Sequence, residues 1–243
     1  ERQPGEAIKN NSIGTARLAD LALEHGVGRF VLISTDKAVN PTSAMGATKG
    51  VMELCLLRAG RRVPVSTARF ANVAFSDGSL LHGFRQRVQK GQPLSAPRDV
   101  KRYFITPRES GELCLASCLL AGNREIFFPQ QEERLPLLDF ATLAVRFLQG
   151  RGYEPFPCAT EDEARSRAAE LIPTRRWPCY FFDSDTSGEK PYEEFHGPDE
   201  AVEDGLGVVE LTLAERHLCV GELQLTAQPL AVLRARDLVA PLG

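Results

Sequence analysis

Arg29-Phe30-Val31-Leu32-Ile33-Ser34 is a short, continuous apolar run with no polar face. Such a run fits a strand buried on both sides, as in a parallel sheet covered by helices. Upstream, between residues 5 and 25, apolar residues recur at helical spacing (Ile8, Ile13, Ala16, Ala19, Leu23), and Gly26 supplies a helix stop. Downstream, a polar loop through Pro41 leads into a second helical pattern over 44–61, and 63–70 reads as the next strand. Helix, buried strand, helix, strand is the alternation of a doubly wound α/β sheet.

Beyond Asn72 the pattern loosens. Residues 79–89 and 107–121 read as helices, 125–129 as a strand and 138–148 as a further helix. Two extended pieces, 153–158 and 179–182, flank a charged helix at 161–171 whose Ala164, Ala168 and Leu171 form an apolar stripe. Shorter elements in mixed order suggest a small lobe built on the open sheet. From Gly197 onward the sequence turns acidic and then mildly apolar, without a core period.

The chain has 243 residues, 43% hydrophobic and 25% charged, with a formal net charge of −3. A chain of this size buries enough apolar surface to fold without staples. The near-neutral balance gives no sign of a nucleic-acid or membrane-surface binder. No run of ~18 apolar residues and no opening signal peptide is seen, so a cytoplasmic, reducing setting is expected. Of six cysteines, Cys55, Cys114 and Cys118 lie in apolar helical stretches, where a free thiol acts as a small hydrophobe. No His or second Cys pair flanks Cys114 and Cys118 to complete four ligands, so no metal site is expected. The first residue is Glu1 and the first element is already in mid-pattern, which suggests a piece of a longer protein.

An open α/β sheet holds its ligand just outside the carboxyl ends of its strands. There this chain reads Ser34-Thr35-Asp36-Lys37, which brings hydroxyls, a carboxylate and an amine out together. Met45-Gly46-Ala47-Thr48-Lys49 opens the next helix, and Met45 and Lys49, four apart, share one face. Taken singly, these are a polar loop, a core Met and a solvated Lys. Their order after a buried strand makes them a candidate site.

The stretch from Ser34-Thr35-Asp36-Lys37-Ala38-Val39-Asn40-Pro41 through Thr42-Ser43-Ala44-Met45-Gly46-Ala47-Thr48-Lys49 closely resembles the active-site segment of bacterial UDP-N-acetylglucosamine 4,6-dehydratases. These form the polysaccharide-biosynthesis group of extended short-chain dehydrogenases. Ala7-Ile8-Lys9-Asn10-Asn11, Ala68-Arg69-Phe70-Ala71-Asn72-Val73, Arg102-Tyr103-Phe104, Gly188-Glu189-Lys190 and Tyr192-Glu193-Glu194 resemble flanking motifs of the same group. The likeness implies a partial doubly wound Rossmann-type parallel sheet with a small mixed α/β substrate lobe. Residues 1–130 would form the C-terminal half of an NAD(P)-binding domain with interleaved lobe segments. Residues 131–196 would form the substrate lobe, and 197–243 a peripheral extension.

The resemblance further implies a dehydration that needs one acid and one base near sugar C5 and C6, tuned toward neutrality. Asp36 would be the acid and Lys37 the base, with Thr35 bonding the C4 oxygen. Lys49 would hold the nicotinamide ribose of NAD or NADP, with Ser34 and Arg69 beside the cofactor. Asn72, Arg102 and Glu189 would contact the nucleotide sugar. Related enzymes often dimerise through the two helices flanking the active strand, so a homodimer is a further expectation.

Three features depart from the family pattern. Met45 stands where most short-chain dehydrogenases carry a Tyr. This matches a subgroup that resembles C5-retaining dehydratases, and the alternative is a dead site. Thr186-Ser187 replace the Arg and Pro that often precede Gly-Glu-Lys. No Gly-rich turn to cradle a pyrophosphate occurs in the chain, which is therefore expected to be inactive alone. The rival readings are a nucleotide-sugar epimerase or reductase on the same scaffold and a non-catalytic binding module.

Overall fold

The computed structural model describes residues 3–129, 137–186, 190, 192–198, 200, 202–203, 218–220, 223–225 and 230–234. The chain opens with an unbroken helical stretch: Pro4–Ala7, a π-helical Ile8–Ile13, then α1 (Gly14–Glu24). β1 (Phe30–Thr35) follows and ends in a single 3-10 turn, Asp36–Ala38. Next come α2 (Ala44–Ala59) and β2 (Val65–Phe70), then α3 (Leu80–Gln89) and β3 (Leu94–Pro97). α4 (Pro107–Leu119), β4 (Glu125–Pro129) and α5 (Phe140–Gln149) continue the alternation. The last long elements are β5 (Glu154–Cys158), α6 (Glu161–Leu171) and β6 (Arg176–Phe182).

The main sheet has β1, β2 and β4 side by side and parallel. Every residue of β2 except the last is buried. Val65 joins Leu32, Met52, Leu56 and Val63 beneath α2, whereas Ala68 joins Leu113, Ala116, Ala121 and Phe127 beneath α4. Helices on both faces are what a continuous apolar strand requires. The doubly wound α/β expectation therefore holds.

β1 differs from its reading in one respect. Leu32 and Ser34 are buried, but Ile33 is 55% exposed. Among the described residues β1 pairs only with β2, and α4 packs mainly under its neighbours.

β3, β6 and β5 form a second, parallel sheet in that order. Its core holds Phe84, Leu94, Leu143, Phe147, Leu148 and Trp177. Full burial of a side chain such as Phe84 or Phe147 contributes about 1.5–3 kcal/mol, so this lobe has an apolar core of its own. Trp177 Nε1 donates to Gln92 O at 3.1 Å, which satisfies the indole and ties β6 to the turn before β3.

The residues after Gly197 do more than extend the periphery. β7 (Val202–Glu203) and β8 (Leu230–Arg234) continue the main sheet as antiparallel strands beyond β4. Edge pairing rests on backbone hydrogen bonds and leaves little mark on sequence periodicity. Among the described residues no helix is long and apolar enough to cross a membrane.

Candidate active site

β1 delivers Thr35, Asp36 and Lys37 to the carboxyl end of the parallel strands. Thr35 caps the 3-10 turn: its Oγ1 accepts from the Lys37 amide at 3.5 Å and donates to Asp36 Oδ1 at 2.6 Å. Lys37 Nζ lies 3.1 Å from Asp36 Oδ1 and 3.4 Å from Oδ2. The carboxylate is 5% exposed and the amine 39%, so the pair is anchored inside and open at its cationic end. In this arrangement the Thr35 proton points at Asp36, where the sequence reading gave it to a sugar oxygen.

α2 presses directly on this turn. A Cβ at Gly46 would overlap the Lys37 carbonyl oxygen, and one at Gly50 would meet Ala38 O at 3.3 Å. Glycine at these positions lets the helix carrying Lys49 approach the backbone of Lys37 and Ala38. Ser43 caps α2 by accepting from the Gly46 amide at 3.1 Å. Lys49 is partly buried and its Nζ lies 4.0 Å from Met52 Sδ. Burial lowers its proton affinity against the opposing pull of Glu53. Met45 is 38% exposed at the start of the helix. Asp36, Lys37 and Lys49 thus come from two elements in contact, as the sequence order implied.

Ser34 and Arg69 were both read as cofactor residues, and the structure separates them. Ser34 is 3% exposed, and its Oγ has no hydrogen-bond partner among the described residues. A buried orphan hydroxyl is a group that a bound polar ligand can satisfy. Arg69 instead spends its N–H groups inside the protein. Nε and one terminal nitrogen donate to Glu53 at 3.0 and 2.7 Å, and both terminal nitrogens reach Glu200 at 2.8 and 2.7 Å. A further bond goes to Phe195 O at 2.8 Å. With all five N–H groups engaged, Arg69 is a clamp between α2 and residues 195–200, and no donor is left for a cofactor.

The substrate candidates follow a similar pattern. Asn72, past the end of β2, donates from Nδ2 to Glu193 Oε1 and toward Tyr103 O at 3.5 Å. Arg102 is 7% exposed and donates to the carbonyls of Lys101 and Lys190 at 2.7 and 2.9 Å. Glu189 lies outside the described residues. Lys190 bonds Val39 O and Glu194, the latter at 2.9 Å. Arg98, one of several basic residues near this region, forms an exposed fork with Asp183 at 2.7 and 2.8 Å.

Glu193 had no assigned role in the sequence, yet it is the most perturbed acid of the site. It is 2% exposed, and its second oxygen accepts from the Tyr103 amide. Burial, then the Asp36 charge, push its carboxyl up to about 8, against the pull of the Tyr103 amide, Lys37 and Arg102. Glu194 beside it points outward to Lys190 and Asn40. Both glutamates were quoted in one motif. The available signal was their adjacency in an extended segment, where only one of two neighbours can face inward.

A parallel sheet with an acid–amine pair at its carboxyl end and a lysine on the next helix defines a Rossmann-type α/β protein with a polar ligand end. The chain belongs to the polysaccharide biosynthesis protein family, whose model matches residues 1–161. It is 40% identical over 144 residues to the probable polysaccharide biosynthesis protein EpsC of Bacillus subtilis, covering 58% of this chain and 24% of that protein. It is 29% identical to a UDP-N-acetylglucosamine 4,6-dehydratase (inverting) of Campylobacter jejuni, over 59% of this chain and 44% of the relative. A UDP-glucose 4-epimerase of Rickettsia prowazekii matches at 33% over 52% of this chain and 39% of its own length. The chain therefore spans from a quarter to under half of these relatives. Among solved structures, the dTDP-glucose 4,6-dehydratase DesIV of Streptomyces venezuelae, with NAD bound, shares the fold. Its TM-score is 0.60 at 18% identity, over 81% of this chain and 61% of that one.

Proposed function

We propose that this chain supplies the acid–base half of a nucleotide-sugar 4,6-dehydratase that acts in polysaccharide biosynthesis. The Asp36–Lys37 pair carries the reading: a buried carboxylate in direct hydrogen bond with a half-open amine, beside the helix of Lys49. NAD or NADP, when bound, would supply the hydride acceptor for sugar C4 and the hydride donor for C6. Of this chain's groups, Lys49 and the orphan Ser34 hydroxyl suit that cofactor, while Arg69 does not.

Elimination moves two protons in opposite directions. The C5 proton passes to Lys37 Nζ, and a proton from Asp36 leaves with the C6 hydroxyl as water. The products of that step are an ammonium and a carboxylate, which the 3.1 Å approach of Lys37 Nζ to Asp36 Oδ1 suits. Return of that proton from Lys37 to C5 as C6 is reduced restores the base, and the C4 hydroxyl proton released on oxidation replaces the one that Asp36 gave to water. No proton has to come from solvent. Thr35, by donating to Asp36, holds its carboxyl in one orientation.

Met45 cannot take the C4 hydroxyl proton, because a thioether is no base at neutral pH. The reading therefore places this chain with Met-bearing dehydratases of the C5-retaining kind acting on UDP-N-acetylglucosamine. Since the chain contains no Gly-rich turn, the activity is assigned to an enzyme that combines these residues with such a turn. Product analysis tests it: a 4-keto-6-deoxy sugar nucleotide with unchanged C5 configuration is expected. A C4 epimer would move the assignment to the epimerases, and no product in the presence of NAD would favour a binding module.

A second copy of the chain is the proposed partner. Leu18 and Leu21 of α1 and Val51 and Leu54 of α2 are 45–56% exposed, on the two helices that flank the active strand. Soluble proteins seldom leave such groups of large aliphatic residues uncovered. Sedimentation should give a dimer that Leu54→Glu dissociates; a wild-type monomer at micromolar concentration removes this part of the reading.

A further inference from the structure

The turn that presents Asp36 and Lys37 is short. Asp36–Ala38 is one 3-10 turn, closed by the Val39 amide donating to Asp36 O at 3.1 Å. Hydrogen-bond geometry in such turns is poor, so a single turn depends on its neighbours. α2 grips it from one side, through the close approaches at Gly46 and Gly50. On the other side the chain leaves through Val39, which is 4% exposed, into Asn40 at φ 41°. Residues with a side chain seldom adopt that left-handed region, although asparagine tolerates it better than most.

The peptide between Val39 and Asn40 is held from far along the chain. Lys190, in the segment after β6, donates from Nζ to Val39 O and to Glu194 Oε2, the latter at 2.9 Å. Glu194 Oε2 also accepts from Asn40 Nδ2 at 3.4 Å. A bond from an ammonium to a carbonyl is charge-assisted and about twice as strong as a neutral one. The Lys190 side chain is 14% exposed, and its backbone carbonyl accepts from Arg102 at 2.9 Å. It is therefore anchored at both ends.

Two torsions set the direction of that peptide, ψ of Val39 at 131° and φ of Asn40 at 41°. Turning the peptide over would return Asn40 to negative φ and carry the Val39 carbonyl away from Lys190. We propose that Lys190 is a positioning residue: it locks the Val39–Asn40 peptide and so holds the turn that sets the Asp36 carboxyl against the Lys37 amine. The catalytic meaning rests on Asp36 and Lys37 being the acid and base proposed above. The lock itself does not.

Scalar couplings of Asn40 in the 243-residue chain report its φ without turnover. Wild type should give the values of positive φ, and Lys190→Met should move them to those of negative φ. Wild-type couplings in a folded Lys190→Met overturn the lock. Should that variant not fold, Glu194→Ala frees the ammonium from its second partner and should shift the couplings the same way. Unchanged couplings there overturn the lock equally.

In the complete enzyme, Lys190→Met should lower kcat by roughly 10–10²-fold with KM unchanged, the usual effect of slightly misplaced reacting groups. Asn40→Gly supplies the sharper test. Glycine bears positive φ without strain, so adding it to Lys190→Met should restore part of kcat. A residue that only stabilised the fold would give neither the loss confined to kcat nor this rescue. A double variant no better than Lys190→Met counts against the lock and removes it. A lock confirmed by the couplings, in an enzyme that makes no 4-keto sugar, sinks the dehydratase reading alone. A 4-keto sugar made at the wild-type rate by Lys190→Met sinks the lock alone.

Discussion

Asp36→Asn in the complete enzyme is expected to lower kcat for dehydration by roughly 10²–10⁴-fold, the usual contribution of a placed acid or base. The amide keeps the size of the carboxyl and can still accept from Thr35 and Lys37, so binding of the nucleotide should survive and KM should change little. Lys37→Met should have a loss of the same order, because the C5 proton then has no acceptor. The double variant should be little worse than either single one, since acid and base act as a unit. Exchange of the C5 hydrogen with deuterated solvent separates the two roles: it should stop in Lys37→Met and persist in Asp36→Asn. Either variant turning over like wild type would remove the pair from the mechanism.

The legible part of this protein was the part governed by periodicity. The helix at Glu161–Leu171 and the strand at Glu125–Pro129 coincide with their sequence readings, because apolar spacing and flanking caps are local signals. The contact of Asp36 with Lys37, and the packing of the Lys49 helix on their turn, were also readable, since one strand–turn–helix unit carries all three. Long-range closure was not. The ion pairs of Arg69 with Glu53 and Glu200 span 16 and 131 residues, and Glu193 meets Asn72 from 121 residues away. Nothing in the letters around Arg69 distinguishes a cofactor ligand from an internal clamp. That depends on what the fold brings opposite it. Ile33 is the reverse case, an apolar residue whose burial depends on a neighbour beyond β1.

Arg69→Met should destabilise the chain by roughly 3–5 kcal/mol in denaturant titration, the loss typical when one member of a buried ion pair is removed. The Arg69 side chain is 4% exposed, Glu53 7% and Glu200 17%. Burial alone would weaken its charge, but the hydrogen bonds it donates to Glu200 and Glu53 outweigh it and raise its proton affinity. Methionine fills much of the volume and leaves two carboxylates facing each other with no cation. Arg69→Lys should recover little, because an ammonium cannot serve Glu53, Glu200 and Phe195 O in a planar fork. Replacing Glu53 by Gln in the Arg69→Met background should regain part of the loss, since it removes a stranded charge. The effect should reach the site as well. Arg69 pins residues 195–200, the continuation of the segment that seats Glu193 against Asn72 and Tyr103. Its removal should therefore bring the Glu193 midpoint down toward that of an exposed carboxylate. A loss below about 1 kcal/mol, the range of exposed pairs, would show that the clamp does not hold this segment in solution.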